Sequence, residues 1–308
     1  MNEKQRTINQ DITLNGVGLH TGKEVIIRFK PGKENTGIIF RRVDLENSPE
    51  IKADVDNVVE TSRSTVLQKN GASVATVEHL LSAANGLRID NLVVEINGPE
   101  TPILDGSSKI YAEKLSQAGI VELNAERKYL NLTKNIEFKD EKTGTRISIY
   151  PADKLNVIVM IDYNSTVIGN QYAMLETLDN YQAEIAPCKT FVFLKELEFL
   201  LNNNQIKGGD LSNALVIVDK DFTQKEFDKI ADLFHKDHRV YKGRGILNEQ
   251  DMTFSNEPAR HKLLDLMGDM TLLGMHVKGT VVALKPGHFS NVEFVKLLKK
   301  EFQTNNDI

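Results

Sequence analysis

His261 and Asp265 stand four residues apart in His261-Lys262-Leu263-Leu264-Asp265. On a helix that spacing places both side chains on one face, roughly 5–6 Å apart at Cβ, so an imidazole nitrogen and a carboxylate oxygen can converge on one cation. The same pattern is met by a hydrogen-bonded His/Asp pair on a solvated helix face. Glu78-His79 adds a second histidine beside a carboxylate, in an order that is not the HExxH zinc motif. Alone, His79 in an apolar helix also suits a histidine satisfied by a backbone group. Taken together, His79, His261 and Asp265 offer three ligands and leave a fourth position for water, the open arrangement of a catalytic zinc, where the pKa of water falls to about 7. Glu78 would sit beside a ligand without being one, which suits a general base. His288 follows Pro286-Gly287 and is expected in a glycine loop, where an imidazole can approach substrate and serve as the acid. Asp269, one turn beyond Asp265, could orient His288 and hold it protonated, or be an ordinary exposed aspartate.

These residues need elements to hold them. Val25–Phe29 and Gly37–Phe40 read as strands separated by the turn Lys30-Pro31-Gly32-Lys33, suiting a hairpin. A helix is expected from Thr76 through Ala84 with Gly86 as its stop, then a strand over 91–96, a Gly/Pro loop at 97–99, Asp105-Gly106-Ser107 and a helix near 111–115. The second half repeats this order: helix 261–269, strand 280–284, the loop Pro286-Gly287-His288 and helix 292–298. The fold class is therefore α+β, with two similar layers packed face to face and a site between them that draws on both helices. The boundary is expected near the polar stretch Leu123–Arg127, dividing the chain into domains 1–126, carrying Glu78 and His79, and 127–308, carrying His261, Asp265 and His288.

The 308 residues, 40% hydrophobic and 26% charged, sit near globular averages and can bury a proper core. A net charge of -5 with scattered lysines gives no footprint for a phosphate backbone, so no nucleic-acid partner is expected. The single cysteine, Cys188, rules out an internal disulfide or a cysteine-rich metal knuckle and leaves His, Asp and Glu as ligands in a reducing compartment. MNEKQRTINQ has no apolar leader core, and no apolar run reaches a membrane span, so a cytoplasmic protein is expected.

Five ordered blocks carry a resemblance over nearly the whole chain: Gly16–Gly22, Thr76–Leu80, Pro102–Ser107, Arg260–Asp269 and Gly287-His288. They are similar to the UDP-3-O-acyl-N-acetylglucosamine deacetylase family, whose reaction commits substrate to lipid A synthesis. The resemblance implies zinc, with iron as the other candidate, on His79, His261 and Asp265. It also implies Glu78 as base, His288 as cationic acid assisted by Asp269, Thr190 at the oxyanion, and Lys262 and Phe191 in the substrate site. It implies two domains, each a sheet with a pair of helices and a small insert, packed helix face to helix face around the metal. Lys207–Val218 resembles the insert that forms an apolar passage for the acyl chain, expected near 207–222; by pattern alone it is a turn and a buried strand. The partner implied is a UDP-sugar bearing an acyl chain; the oligomeric state is not legible, and a monomer fits.

The chain departs from the family pattern at Cys188-Lys189, where Ala-Arg is usual, and in the charged stretch 221–245. That stretch holds His235 and His238, for which a solvated helix and loop is the expectation and a second metal site the alternative. Some relatives carry a fused acyl-hydratase-like domain, so the chain is either complete or a module of something longer. Two other functions stay open: a zinc amidohydrolase or esterase acting on another substrate, which would not depend on the acyl chain, and a non-catalytic nucleotide-sugar or lipid-binding protein, which would not need Glu78 and His288.

Overall fold

The computed structural model describes residues 3–197, 207–233, 237–238 and 240–306. Two five-stranded sheets share one topology. In space the first runs Ile12–Val17, Glu24–Pro31, Leu92–Ile96, Ile38–Arg42, Glu50–Lys52; the second runs Ile136–Asp140, Thr145–Pro151, Gly279–Leu284, Asn156–Asp162, Asn170–Leu175. In each, the central strand comes last in the chain. It pairs antiparallel with the second strand (Ile27 opposite Ile96, Ile149 opposite Val281) and parallel with the fourth (Phe40 opposite Val94, Val157 opposite Val281). The repeat read from the order of elements is thus a repeat of topology, and the protein is α+β.

One local expectation is corrected by this topology. Glu24–Pro31 and Ile38–Arg42 do not form a hairpin, because Leu92–Ile96 lies between them and pairs with both. Leu92, Val94 and Ile96 are fully buried. A strand of that character belongs inside a sheet, and a parallel neighbour requires a crossover, which here runs through the Glu78–Gly86 helix.

Each sheet buries one face against helices. Val25, Ile27 and Phe29 alternate inward along Glu24–Pro31, with Ile26 and Arg28 outward. They join a continuous core with Leu80 and Leu81 of the Glu78–Gly86 helix, Leu263 and Leu264 of the Glu257–Met270 helix and Phe294 of the His288–Asn306 helix. The Glu78–Gly86 and Glu257–Met270 helices press together at the centre. Their backbones touch at Gly268, where a Cβ would lie 2.2 Å from the Glu78 carbonyl oxygen. Asn85 fastens the other end, donating to the Met267 carbonyl (3.0 Å) and to the Thr271 hydroxyl (3.2 Å).

Each half carries a three-stranded insert. The first comprises Val58–Glu60, Val66–Lys69 and Ala72–Val74. The second is wider than the stretch near 207–222, because Leu215–Val218 pairs with Phe191–Phe193 on one side and Gly245–Ile246 on the other. It has its own apolar cluster, including Leu194, Leu197, Val216, Val218, Phe227 and Ile230. The last two belong to the Gln224–Leu233 helix, so among the described residues of the charged stretch 221–245 there is a helix with one apolar face set into this cluster. His238 Nε2 pairs with Asp232 Oδ1 at 2.6 Å, whereas His235 lies outside the described residues. No helix among the described residues is long and apolar enough to cross a membrane.

Candidate active site

The turn before the first site helix is set by Thr76, a non-glycine residue at φ 58°, which ends extended pairing and starts the helix at Glu78 rather than Thr76. Thr76 is held on two sides: its hydroxyl donates to Glu100 (3.1 Å), and Thr101 donates to its carbonyl (2.5 Å). The buried Glu100 carboxylate also accepts from the His20 amide and from the amide and hydroxyl of Thr21. It therefore anchors the Gly16–Gly22 loop beside the helix start, and a Cβ on Gly18 would come within 2.4 Å of its Oε2. That loop meets the second insert, with the Gly208 amide donating to the Leu19 carbonyl at 2.9 Å. Gly106, at φ 80°, lies against the Asn213 backbone, and its carbonyl accepts from the Thr190 amide at 2.8 Å.

The second site helix begins at Glu257, whose buried carboxylate accepts from the amides of Thr253, Phe254 and Lys189. His261 Nδ1 is 3.0 Å from the Cys188 carbonyl and donates to it, so its Nε2 is an acceptor. Only the backbone of Cys188 is used here, so the contact does not depend on its side chain.

His79, His261 and Asp265 converge, with one ligand atom from each lying within 4.8 Å of the others, and all three side chains are buried. His261 Nε2 faces Asp265 Oδ1 at 3.3 Å, and His79 Nε2 lies 3.9 Å from the same oxygen. Among the described residues, neither His261 Nε2 nor Asp265 Oδ1 has a hydrogen-bond partner, so two buried acceptors point at each other. A cation between them resolves that arrangement. A proton is disfavoured, because burial pushes both imidazoles down, His79 to about 3. Burial works against the Asp265 charge too, but Lys262, then the imidazoles, hold its carboxyl well below the usual range. Two neutral imidazoles and a carboxylate fit a divalent transition metal such as zinc.

Around this cluster the remaining residues take distinct places. Glu78 Oε2 accepts from the Thr65 amide at 3.1 Å, leaving Oε1 toward His288 Nε2 at 3.7 Å. Burial, reinforced by Asp265 and Asp269 and opposed by His288, raises the Glu78 carboxyl to about 7. His288 is the first residue of the His288–Asn306 helix, not part of the expected loop. Its Nδ1 donates to Asp269 Oδ2 at 2.9 Å, so Nε2 carries a second, site-facing proton only when the ring is cationic. Burial opposes its charge, yet Asp269, Glu78 and Asp265 together raise it to about 9. Asp269 is fully buried rather than exposed. Lys262 Nζ reaches Asp265 Oδ2 at 2.6 Å and stands 5.6 Å from the centre of the Phe191 ring.

A cavity of about 810 Å³ opens beside the cluster. Thr190, Lys262 and His288 line its polar end, and Leu194, Leu197, Val216, Phe227 and Ile230 line the part that runs into the second insert. All nine residues singled out from sequence fall in this one region. Sequence reasoning missed Thr65, the Cys188 carbonyl and Asn291, whose Nδ2 donates to Asp269 Oδ2 at 2.9 Å. No motif surrounds Thr65 in Ser62-Arg63-Ser64-Thr65, and a backbone carbonyl leaves no trace in residue identity.

Comparison with known proteins gives one consistent result. The family model described as LpxC, UDP-3-O-acyl N-acetylglycosamine deacetylase, matches residues 5–238 and 234–300. The chain is 47% identical over 304 residues to the bifunctional enzyme LpxC/FabZ of Chlorobaculum tepidum, covering 98% of this chain and 65% of that protein. It is 35% identical over 295 residues to the UDP-3-O-acyl-N-acetylglucosamine deacetylase of Chlamydia pneumoniae, covering 95% of each. To the deacetylase of the same name from Alcanivorax borkumensis it is 37% identical over 303 residues, covering 97% of this chain and 91% of that one. The chain thus spans about two thirds of the length of its bifunctional relative and nearly all of the others.

Proposed function

Since the chain belongs to the UDP-3-O-acyl N-acetylglycosamine deacetylase family, we propose that it hydrolyses the N-acetyl amide of UDP-3-O-acyl-N-acetylglucosamine. The products are acetate and the free 2-amino sugar nucleotide, on the route to lipid A in the cytoplasm. The observation that carries this reading is the buried His79/His261/Asp265 cluster, flanked by Glu78 and His288, beside a cavity that Lys262 and His288 line together with the apolar side chains of the second insert.

His79, His261 and Asp265 would hold one divalent ion, zinc by donor type with iron as the other candidate, and that ion supplies Lewis acidity toward a carbonyl and acidifies water. The chain's own groups move the protons. Glu78 Oε1 is free to take the proton of the attacking water, because Oε2 is committed to the Thr65 amide. His288, held cationic by its neighbouring carboxylates, gives its Nε2 proton to the departing amine. Thr190, whose amide is tied to Gly106, is assigned to the developing oxyanion. Lys262 and Phe191 are assigned to the sugar nucleotide, and the apolar end of the cavity to the acyl chain.

The acyl assignment separates this function from a general amidohydrolase. Acetate release from UDP-3-O-acyl-N-acetylglucosamine should exceed that from UDP-N-acetylglucosamine by orders of magnitude in kcat/KM, since apolar burial contributes about 0.8 kcal/mol per CH₂. Equal turnover of the two would remove the acyl passage from the account, and turnover of neither by folded, metal-loaded protein would remove the deacetylase.

A further inference from the structure

Thr65 lies outside every block that resembles the family pattern, yet it touches both halves of the proton-transfer machinery. It is fully buried. Its backbone brackets the start of the Glu78–Gly86 helix: the Thr65 carbonyl accepts from the Val77 amide at 3.4 Å, and its own amide donates to Glu78 Oε2 at 3.1 Å. Its hydroxyl points the other way, donating to Asp269 Oδ1 at 2.5 Å and lying 3.3 Å from His288 Nδ1. Asp269 Oδ2 is shared between His288 Nδ1 and Asn291 Nδ2, both at 2.9 Å. Among the described residues, the Thr65 hydroxyl is the only hydrogen-bond donor to Asp269 Oδ1.

We propose that Thr65 is a positioning residue for the deacetylation: its hydroxyl fixes the Asp269 carboxylate, and through it the His288 ring, in register with the Glu78 carboxylate held by its amide. The inference rests on the function proposed above but concerns a side-chain hydroxyl to which that function assigns no part. The geometric reasoning is direct. A carboxylate hydrogen-bonded through one oxygen alone can rotate about Cβ–Cγ and carry the imidazole with it, whereas donors on both oxygens fix its plane. Thr65 immediately precedes the Val66–Lys69 strand of the first insert, so the insert and the acid–base pair share one anchor. Such supporting contacts matter because a misplacement of about 1 Å can cost roughly 100-fold in rate.

Thr65→Val keeps the shape and both backbone hydrogen bonds and removes only the hydroxyl; Thr65→Ser keeps the hydroxyl. The expected result is a fall in kcat of about 10- to 100-fold for Thr65→Val, with KM and metal content unchanged, and recovery to within about threefold for Thr65→Ser. In an Asp269→Asn background, Thr65→Val should add little, because the hydroxyl acts through that carboxylate. Wild-type kcat within twofold in folded Thr65→Val, or equal losses in the Val and Ser variants, would overturn the proposal. The His288 Nδ1 proton resonance supplies a readout that needs no turnover. It should move or broaden in Thr65→Val and stay in place in Thr65→Ser, and an unmoved resonance in both would overturn the assignment. If the wild type does not turn over the sugar nucleotide, the functional reading fails while this resonance still decides the fate of Thr65.

Discussion

Replacing Gly268 by alanine tests the idea that the two site helices are held in contact at a single backbone crossing. In an ordinary helix interior Gly→Ala is favourable by roughly 1 kcal/mol. Here the new Cβ would lie 2.2 Å from the Glu78 carbonyl oxygen, 2.9 Å from its carbonyl carbon and 3.0 Å from its Cα. Ordinary contact begins at 3.4 Å, and these neighbours are backbone, so the helices must part by about 1 Å. Overpacking of that kind costs about 1–3 kcal/mol, enough to reverse the helix gain. The functional effect should be larger than the effect on stability. Asp265 and Asp269 flank Gly268 on one helix while Glu78 itself is struck on the other. Separation therefore draws Glu78 and His79 away from His261 and Asp265, and about 1 Å corresponds to roughly 100-fold in kcat. Urea unfolding with metal-saturated protein, alongside steady-state acetate release, measures both. A Gly268→Ala variant as stable as wild type and within twofold of its kcat would refute the reasoning.

Other outcomes follow from the same geometry. Glu78→Ala should bind metal normally by elemental analysis and lose about 10²- to 10⁴-fold in kcat, whereas His79→Ala should lose the metal; equal metal loss in both would contradict the division of roles. Activity should rise with pH as Glu78 ionises and fall as His288 loses its proton. A bound cation lowers both values, so the limbs should lie at or below about 7 and about 9. Asp269→Asn removes the foremost charge supporting protonated His288, and should shift the alkaline limb to lower pH; an unmoved limb would argue against that pairing. Far from the site, Arg127, whose side chain is 1% exposed, binds Asp90 through its guanidinium at 2.9 Å, and Asp90 also meets His276 at 2.8 Å. Asp90→Ala should cost about 3–5 kcal/mol in denaturant unfolding. Although burial acts to raise it, hydrogen bonds from His276 and Arg127 leave the Asp90 carboxyl below its ordinary value. Its contribution is therefore present above the ordinary carboxylate range and lost as pH falls through that depressed value, and Asp90→Asn should blunt the loss of stability in acid.

The parts of this site that were legible in sequence are those carried by local pattern. His261 and Asp265 share a face because four residues make about one helical turn, and Asp269 continues that face. The repeated order of helix, strand, loop and helix anticipated two sheets with one topology. Local pattern failed where the deciding contact is distant. The turn at Lys30–Lys33 pairs its two flanking strands on local grounds, but Leu92–Ile96 enters between them, a choice made by burial of a strand some fifty residues on. Pro286-Gly287 points to a loop at His288, yet the helix starts at that histidine and directs it at Asp269. Thr65 gave no sign at all: its importance comes from an amide and a hydroxyl facing residues 13 and 204 positions away.

The central claim, that the buried acceptor cluster holds the ion on which deacetylation depends, is tested most directly by acetate release from UDP-3-O-acyl-N-acetylglucosamine. The assay would use protein as purified, after chelation, and after return of about one equivalent of zinc or ferrous iron. Activity lost on chelation and restored by about one equivalent is the predicted result. Undiminished turnover by protein shown to be metal-free would contradict it.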